Sequence, residues 1–400
     1  MNILHLLGDT ADLGGILSVV RCLHEVTASW GDHHVAWVHQ GYQETRQPQL
    51  TYRYSRWLKG ESAQHLEFLL RAAPAWLELL RLLRYEPFDV VHAHSRGAFP
   101  VAALLSGLTG RHVVFTNHTY ATRTMLYRWA ARIPRFHTVV LTPNMARHYQ
   151  LRAPTPRVSI ISECCRDQFF DHLPRVSSNH GGPTAPIRLV GVGNIVRWKK
   201  WHVLLDALAI LDPEQRSRIR FAHWGQAPSD PDSRAYEREL QERIRRAGLA
   251  PIVQFHGPTP EVLAKLLDAD WFVLPSTNEP CSVALIEALA LGLPALVSAS
   301  GGNVDVIVPE KTGLLFAPDN PADLARQLCR LLLPGLGIVA PAAIRQSVEL
   351  RRPGTVARQY RELYEQLPQA RSSTRSASTG PAIPQGPPEA HRDGSDPRRP

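Results

Sequence analysis

One stretch of the chain, "WFVLPSTNEPCSVALIEALALGLPALVSAS" at residues 271–300, decides the fold. It begins with a short apolar run, "WFVL", that is typical of a strand buried in a parallel sheet. A polar turn follows, then an apolar helical segment that begins near Ser282, and then a second strand, "PALVSAS". Strand, helix and strand in this order form a βαβ unit, so the stretch predicts an α/β fold built on a parallel sheet.

Two glutamates in this stretch, Glu279 and Glu287, stand eight positions apart beside this apolar surface. A buried carboxylate is costly unless something binds it. The start of the helix favours an anion such as phosphate, because its first N–H groups lack partners and the helix dipole is positive there. At about 1.5 Å of rise per residue, roughly two helical turns separate the two acids. We therefore expect one elongated ligand, with a phosphate at the helix start and hydroxyls held by the carboxylates.

The same alternation of strand and helix runs through the whole chain in two blocks. Six β-branched runs predict the strands of the first block, namely "NILHLLG", "HHVAWVH", "FDVVHAH", "HVVFTNHT", "TVVLTP" and "VSIIS". After the turn-rich segment "SSNHGGPTAP" the rhythm restarts at "IRLVGVGNI" and continues to "TGLLF". The pattern predicts two Rossmann-like, doubly wound domains that face each other across a cleft, with the site at the carboxyl ends of the strands.

The predicted domain plan has five parts. An N-terminal Rossmann-like domain covers residues 1–176, a linker 177–186, and a second Rossmann-like domain 187–350. A C-terminal helix over 351–368 is expected to pack across the domain junction. The remainder, 369–400, is rich in proline, serine, glycine and charge without an apolar face, which predicts disorder.

Composition points to a reduced, cytoplasmic compartment. The five cysteines are few, odd in number and without metal-ligand spacing. No run approaches the roughly 20 apolar residues that span a bilayer. The amino terminus, "MNILHLLGDTADLGG", lacks a basic lead and predicts a first strand rather than a signal peptide.

Positive charge is concentrated in the first block. Between Arg111 and Arg157 there are eight arginines and no aspartate or glutamate, in a chain of net charge +9. Such a stretch is either an ordinary solvated face or a patch that meets phosphates or an anionic membrane surface. Within it, "LYRWAARIPRF" mixes aromatic and basic residues, as interfacial helices do. No nucleic-acid motif accompanies the charge, so nucleic acid is not an expected partner.

The stretch from Pro275 to Asn320 resembles the family-4 glycosyltransferases, which are retaining enzymes of the GT-B fold. It contains a glutamate, seven residues, a second glutamate, a helix end of small residues, a Gly-Gly turn and a "TGLL" strand, in the family's order. The resemblance places Glu279 beside the donor sugar ring and Glu287 at the ribose hydroxyls of the nucleotide. It places the backbone amides near Ser282 and Val283 at the diphosphate.

A second charged element, "GVGNIVRWKKWH", resembles the family's phosphate clamp. The resemblance gives Lys199 the role of a fixed cation that stabilises the departing diphosphate. The family usually has an arginine in place of Asn194 and a glycine in place of Lys200. Either Arg197 supplies the missing cation or Asn194 weakens the clamp.

Two further departures lie near the expected diphosphate and sugar. The family commonly has Phe-Gly where this chain has Cys281-Ser282, and a glutamate where it has Asp305. Both changes leave the choice of donor open.

The first block contributes a glycine turn and a histidine to the resemblance. Gly14 and Gly15 match the family's Gly-Gly loop, which faces the donor phosphates, or else form a plain strand-to-helix turn. His118 resembles the active-site histidine that contacts the donor sugar. His92 and His94 are either paired metal ligands or polar strand-end residues, and with no third ligand evident the second interpretation is preferred.

These observations lead to one functional hypothesis and two rivals. The chain is predicted to be a retaining, metal-independent hexosyltransferase that uses a nucleoside diphosphate sugar and no cofactor. Its acceptor, a glycan or lipid-linked molecule, is expected to enter from the N-terminal domain, in cell-envelope or polysaccharide synthesis. One rival is a non-catalytic nucleotide-sugar-binding protein of the same fold. An epimerase of related architecture is the other, and the spacing of the two glutamates argues against it.

Overall fold

A parallel sheet of seven strands forms the first half of the molecule, in the spatial order β3-β2-β1-β4-β5-β6-β7. This computed structural model describes residues 1–9, 15–43, 50–60, 65–172, 185–333 and 335–367. The strands are β1 (Asn2–Leu6), β2 (His33–His39), β3 (Thr51–Ser55), β4 (Val90–Ala93), β5 (Val113–Asn117), β6 (Phe136–Val140) and β7 (Val158–Ile160). The helices between them are α1 (Gly15–Thr27), α2 (His65–Tyr85), α3 (Ala98–Thr109), α4 (Met125–Ala130), α5 (Pro143–His148) and α6 (Asp167–Asp171).

A second parallel sheet, in the order β10-β9-β8-β11-β12-β13, forms the other half. Its strands are β8 (Ile187–Val192), β9 (Ile219–Trp224), β10 (Val253–Phe255), β11 (Trp271–Leu274), β12 (Ala295–Ser298) and β13 (Gly313–Phe316). The helices from here to the end of the described chain are α7 (Trp201–Ile210), α8 (Pro213–Ser217), α9 (Pro231–Arg246), α10 (Val262–Leu267), α11 (Val283–Ala290), α12 (Asn303–Val306), α13 (Pro321–Leu331), α14 (Pro341–Gln346) and α15 (Pro353–Gln366).

The stretch quoted at the outset forms β11, α11 and β12, as its pattern predicts. Its two strands are neighbours in register, with Phe272 opposite Ala295. All four residues of β11 and all four of β12 are buried, which explains why both strands read as continuous apolar runs. The α/β fold class predicted from the sequence, with two Rossmann-like parallel sheets, is therefore confirmed.

Some elements are missing from the sequence prediction. Strand β3 is an edge strand with the polar sequence "TYRYS", and only Ser55 in it is buried. Helix α3 is apolar almost all round, so it lacks the amphipathic period by which a helix is recognised. Both elements are formed by tertiary packing rather than by a local pattern.

The last helix, α15, returns from the second half of the chain to the first sheet. The Tyr364 hydroxyl lies 2.7 Å from His92 Nδ1, and the Tyr360 hydroxyl 3.0 Å from Thr116 Oγ1. The predicted linker, 177–186, lies almost entirely outside the described residues, as does the predicted disordered tail, 369–400. Among the helices that the structure describes, none combines the length and the apolar character needed to cross a membrane.

Candidate active site

The order of strands in each sheet places a crevice at the carboxyl edge. In the first sheet the winding reverses between β1 and β4, and in the second between β8 and β11. Ligands of doubly wound folds bind outside the carboxyl ends of the strands at such a reversal. In the second sheet the loop after β8 carries Lys199 and the loop after β11 carries Glu279. Two residues that are 80 positions apart in the sequence therefore meet at one point.

Lys199 and Glu279 form a buried ion pair at this point. Lys199 Nζ lies 2.7 Å from Glu279 Oε2, and the two side chains are only 10% and 7% exposed. Removing two charges from water is costly, so such a pair is retained where its geometry is good or where function requires it. The ammonium group is thereby held in place beside the start of α11, where phosphate is expected.

A tight glycine turn supports the loop that carries Glu279. Gly302 N donates a hydrogen bond to the Glu279 carbonyl at 2.7 Å. Gly301 has φ +60°, and a Cβ built on it would lie 2.5 Å from the Glu279 carbonyl oxygen. Any larger residue would push the loop away, which gives a physical reason for the Gly-Gly turn that follows the glutamate pattern.

The start of α11 has the features expected of an anion site. Ser282 is its N-cap, and the side-chain oxygen accepts a hydrogen bond from Leu285 N at 3.3 Å. Across from it, a Cβ on Gly15 would lie 3.5 Å from a Val283 methyl carbon, so the first half of the molecule closes on this helix start. Gly14 lies outside the described residues. The backbone amides near Ser282 and Val283 are thus flanked by both halves.

Glu287 lies on the same helix, half-buried. Burial and, next, the Glu287 carboxylate raise the pKa of the Cys165 thiol well above its usual value. Glu287 therefore lies near the segment between β7 and α6, at the boundary between the two halves.

Of the other two clamp residues, Arg197 points away from this pair. Arg197 Nη1 lies 2.9 Å from Glu239 Oε2, and its guanidinium carbon lies 5.2 Å from the ring centroid of Tyr236, both on α9. Arg197 is therefore not brought to the Lys199–Glu279 pair. The backbone carbonyl of Asn194 accepts a hydrogen bond from Trp201 Nε1 at 3.3 Å.

The backbone conformation of Lys200 gives a physical reason for the glycine that the family usually has at this position. This residue has φ +56° and ψ +32°, a left-handed conformation that costs a residue with a Cβ about 1–2 kcal/mol. Its Nζ lies 2.8 Å from Asp319 Oδ1.

The two departures near the glutamate loop bind the halves together. Asp305 Oδ2 accepts the backbone N–H of Asn144, at the start of α5, at 2.5 Å. The buried thiol of Cys281 lies 3.5 Å from Ser162 Oγ, just beyond β7 of the first sheet, and burial raises the pKa of this thiol. Asp305 and Cys281 thus serve the contact between the two halves, which lies at the carboxyl edges of both sheets.

His118 follows β5 and is paired with a residue that the sequence analysis misses. Its Nδ1 lies 2.7 Å from Glu163 Oε1, with both side chains more than nine-tenths buried. Its Nε2 lies 3.1 Å from His94 Nδ1. Both ring nitrogens are therefore committed to protein partners. The signal for Glu163 is an acid three residues beyond β7, at the same sheet edge as His118.

Three buried histidines stand behind His118. The fold brings His5 of β1 beside His92 and His94, and the ligand atoms of the three lie within 4.8 Å of one another. By spacing alone this group would suit a metal ion. Each of the six ring nitrogens is however already within hydrogen-bond distance of a side chain, so a metal would have to displace existing bonds.

The arginine-rich stretch includes α4, which has an exposed apolar surface. Met125, Leu126 and Trp129 are between 56% and 78% exposed. Of the eight arginines from Arg111 to Arg157, Arg147 is the one with a carboxylate partner among the described residues, 3.5 Å from Asp305.

Comparison with known proteins identifies two family models in this chain. Residues 13–164 match the model described as Glycosyltransferase Family 4, and residues 174–335 match that of Glycosyl transferases group 1. The two ranges together span most of the chain.

Individual relatives agree with these matches. A D-inositol 3-phosphate glycosyltransferase of Arthrobacter sp. (strain FB24) is 27% identical over 66% of this chain and 66% of its own. A 2-deoxystreptamine glucosyltransferase of Streptomyces kanamyceticus is 27% identical over 65% of this chain and 72% of its own. In eight of the curated relatives, the aligned region spans from 32% to 72% of their own lengths.

Solved structures establish the fold as GT-B. Anabaena HepE in complex with UDP and glucose superposes with a TM-score of 0.70 at 18% identity, over 91% of this chain and 99% of its own. Sucrose-phosphate synthase from Thermosynechococcus elongatus superposes with a TM-score of 0.75 at 20% identity, over 92% of this chain and 98% of its own.

Proposed function

The chain belongs to the group 1 glycosyltransferases, and from that premise we propose that it is a retaining, metal-independent hexosyltransferase. It moves a hexose-type sugar from a nucleoside diphosphate sugar to a glycan or lipid-linked acceptor, in cell-envelope or polysaccharide synthesis. The observation that carries this proposal is the buried Lys199–Glu279 pair beside the start of α11.

The arrangement supports the reaction as follows. The donor diphosphate rests at the start of α11, where Lys199 stabilises the charge that develops as the bond to the sugar breaks. Glu279 lies beside the sugar ring and Glu287 holds the ribose hydroxyls. The acceptor hydroxyl attacks the oxocarbenium-like carbon from the leaving-group face, so the anomeric configuration is retained. The fixed ammonium of Lys199 takes the place that a divalent cation has in metal-dependent transferases, which supports metal independence.

The acceptor side is formed by the first sheet and its arginine-rich stretch. The exposed residues of α4 and the arginines around it suit an anionic membrane surface that presents a lipid-linked acceptor. We propose accordingly that the protein acts in the cytoplasm at the inner face of a membrane.

A donor screen tests the proposal directly. The protein is incubated with UDP-glucose, GDP-mannose and related donors in the presence of EDTA, and release of the nucleoside diphosphate is measured with and without acceptors. HepE binds UDP and glucose, so UDP-glucose is the first donor to test. We expect turnover that survives EDTA. Activity that disappears with the chelator and returns with a divalent cation contradicts metal independence.

A second candidate function is nucleotide-sugar binding without turnover. It is favoured by Asn194, which carries no charge, and by the pairing of Arg197 with Glu239. Thermal shift separates the two candidates when combined with the screen, because a bound donor raises the melting temperature by mass action. Stabilisation by a donor that is neither hydrolysed nor transferred favours the binding protein.

A further inference from the structure

Two hydrogen-bond donors without acceptors lie at the carboxyl edge of the first sheet. Arg96 follows β4 and Asn117 ends β5, and these strands are neighbours in register, with Ala93 opposite Phe115. Arg96 Nε and Asn117 Nδ2 are both buried, and neither has a hydrogen-bond partner among the described residues. A buried donor without a partner is costly, so two of them on neighbouring strand ends require an explanation.

The orientation of the Asn117 amide is fixed by its oxygen. Asn117 Oδ1 accepts the Thr119 N–H at 3.1 Å, so Nδ2 is the end of the amide that has no partner. Asn117 is only 1% exposed, so bulk water does not reach this donor freely. The neighbouring Tyr149 hydroxyl is already engaged, because it donates to the Thr119 carbonyl at 2.6 Å and accepts the Ala121 N–H at 2.7 Å. The amide donor is therefore held in a fixed position without a protein acceptor.

Arg96 brings a positive charge to the same place. Its guanidinium has neither a hydrogen bond nor an ion pair within the part of the chain that the structure describes, although the residue is half-buried. Burial raises the pKa of Tyr149, and the Asn117 amide and the Arg96 charge are among the groups that oppose this rise. Burial likewise raises the pKa of Tyr127 to about 12, again against the charge of Arg96. The two unpaired donors therefore share the surroundings of Tyr149.

The carboxylates at this edge of the sheets have other partners. The stretch 111–157 contains no aspartate or glutamate. Beyond it, Glu163 lies 2.7 Å from His118, and Asp305 accepts the Asn144 N–H at 2.5 Å. A half-buried cation without a counterion is costly, because it has lost part of its hydration and gained no attraction in return. An anionic ligand would remove this cost.

We propose that Arg96 and Asn117 form an anion subsite that binds a phosphate or carboxylate group of the acceptor. Arg96 supplies the charge and Asn117 a fixed neutral donor, and an oxyanion accepts hydrogen bonds from both more strongly than a neutral group does. The subsite lies at the reversal between β1 and β4, where ligands of doubly wound folds bind. It belongs to the first half of the molecule, whereas the donor is expected at Lys199 and the start of α11. The assignment to the acceptor rests on the proposed function, but the binding of an anion does not.

Isothermal titration calorimetry of the full-length protein tests the subsite without any turnover. The probes are glycerol 3-phosphate for a phosphate ester, glucuronate for a carboxylate, and glucose as the neutral control. We expect at least one of the two anions to bind and glucose not to bind, and the tighter anion identifies the group. Arg96→Gln should weaken that binding about tenfold or more, because a charge-assisted hydrogen bond is lost. Arg84→Gln, which changes an exposed arginine in the last turn of α2, is the matched control and should bind as the wild type does.

A second variant tests the amide donor. Asn117→Asp keeps an oxygen for the Thr119 N–H but replaces the donor by a carboxylate oxygen, so it should abolish anion binding. Arg96→Gln removes an unpaired charge, so the melting temperature of its ligand-free form should not fall below that of the wild type. Loss of binding in either variant therefore does not depend on loss of the fold.

Three binding results overturn the inference. One is that neither anion binds, and another is that the anion binds Arg96→Gln or Asn117→Asp as tightly as it binds the wild type, which places it at another site. The third is an equal loss in Arg84→Gln and Arg96→Gln, which indicates a general effect of charge. Anion binding without turnover contradicts the proposed function and leaves the subsite intact. If turnover is found, Arg96→Gln should raise the KM for an anionic acceptor about tenfold and leave the donor KM unchanged, and an unchanged acceptor KM contradicts the assignment to the acceptor.

Discussion

Lys199 Nζ and Glu279 Oε2 lie 2.7 Å apart in a nearly buried ion pair that joins the loop after β8 to the loop after β11. The pair lies at the reversal of the second sheet, beside the start of α11. The proposed chemistry is derived from this contact, and we expect it to affect both the stability and the activity of the protein.

The two consequences of this pair can be separated by a double substitution. Lys199→Met leaves the Glu279 carboxylate buried without its partner, so we expect a loss of about 3–5 kcal/mol in the free energy of unfolding. Adding Glu279→Gln removes the stranded charge, so the double variant should regain most of that stability. Turnover should stay lower by about 10²–10³-fold in both variants, because the cation is missing from the diphosphate site. Urea unfolding and donor turnover measure the two effects, and a double variant with full activity contradicts the role of the pair.

The glycine turn under Glu279 is tested by Gly301→Ala. Its Cβ would lie 2.5 Å from the Glu279 carbonyl, whereas at Gly248, with nearly the same φ of +63°, a Cβ meets nothing within 4 Å. Both alanine variants should lose about 1–2 kcal/mol of stability from the left-handed backbone. Only Gly301→Ala should also lose thermal stabilisation by the donor. Equal donor effects in the two variants would show that the turn does not position the glutamate.

Replacing Lys200 by glycine should stabilise the protein. The substitution removes the left-handed strain at φ +56°, by about 1 kcal/mol after the entropy of glycine and the partly exposed Asp319 ion pair are taken into account. Lys200→Ala is the matched control, since it loses the ion pair and keeps the strain. Chemical denaturation compares the three proteins. A glycine variant no more stable than the alanine variant contradicts this explanation of the family's usual glycine.

Acid should destabilise the protein in part through His223. Burial lowers its pKa to about 3, from 6.5, so between these values the unfolded chain binds a proton that the folded chain does not. Its contribution to stability is present above pH 6.5 and falls as the pH drops towards 3. Between pH 7 and pH 5 we expect a loss of about 2 kcal/mol that is absent in His223→Gln. Urea unfolding at both pH values measures it, and the exposed His33, changed to Gln, is the control.

The surface of α4 predicts binding to anionic membranes. Wild-type protein should float with vesicles that contain an anionic lipid and not with neutral vesicles. Substitution of Trp129 by Ser together with Arg128→Glu should abolish flotation, because it removes an exposed ring and reverses a charge. Reversal of Arg245 and Arg246, which are exposed and paired with Glu242 on α9, is the control. Equal partitioning into neutral and anionic vesicles removes the argument for a membrane surface.

The local sequence was sufficient for the features that lie within one βαβ unit. Glu279, the helix start at Ser282 and Glu287 follow one another along β11 and α11, so their spacing already fixes their geometry. The α/β class follows from the same period of strand and helix. Strand β3 and helix α3 are not predicted from this period. Strand β3 is polar because it lies at a sheet edge, and helix α3 is apolar on nearly every side.

Only the tertiary structure decides which distant side chains meet. Lys199 reaches Glu279 and Arg197 does not, because the turn after β8 directs one towards the sheet reversal and the other towards Glu239 on α9. Likewise, hydrogen bonds connect His118, His94, His5 and His34, which come from four neighbouring strands or strand ends. Their proximity depends on the order of the strands in space. This order follows from how the helices pack on the sheet, and it cannot be deduced from the spacing of residues along the chain.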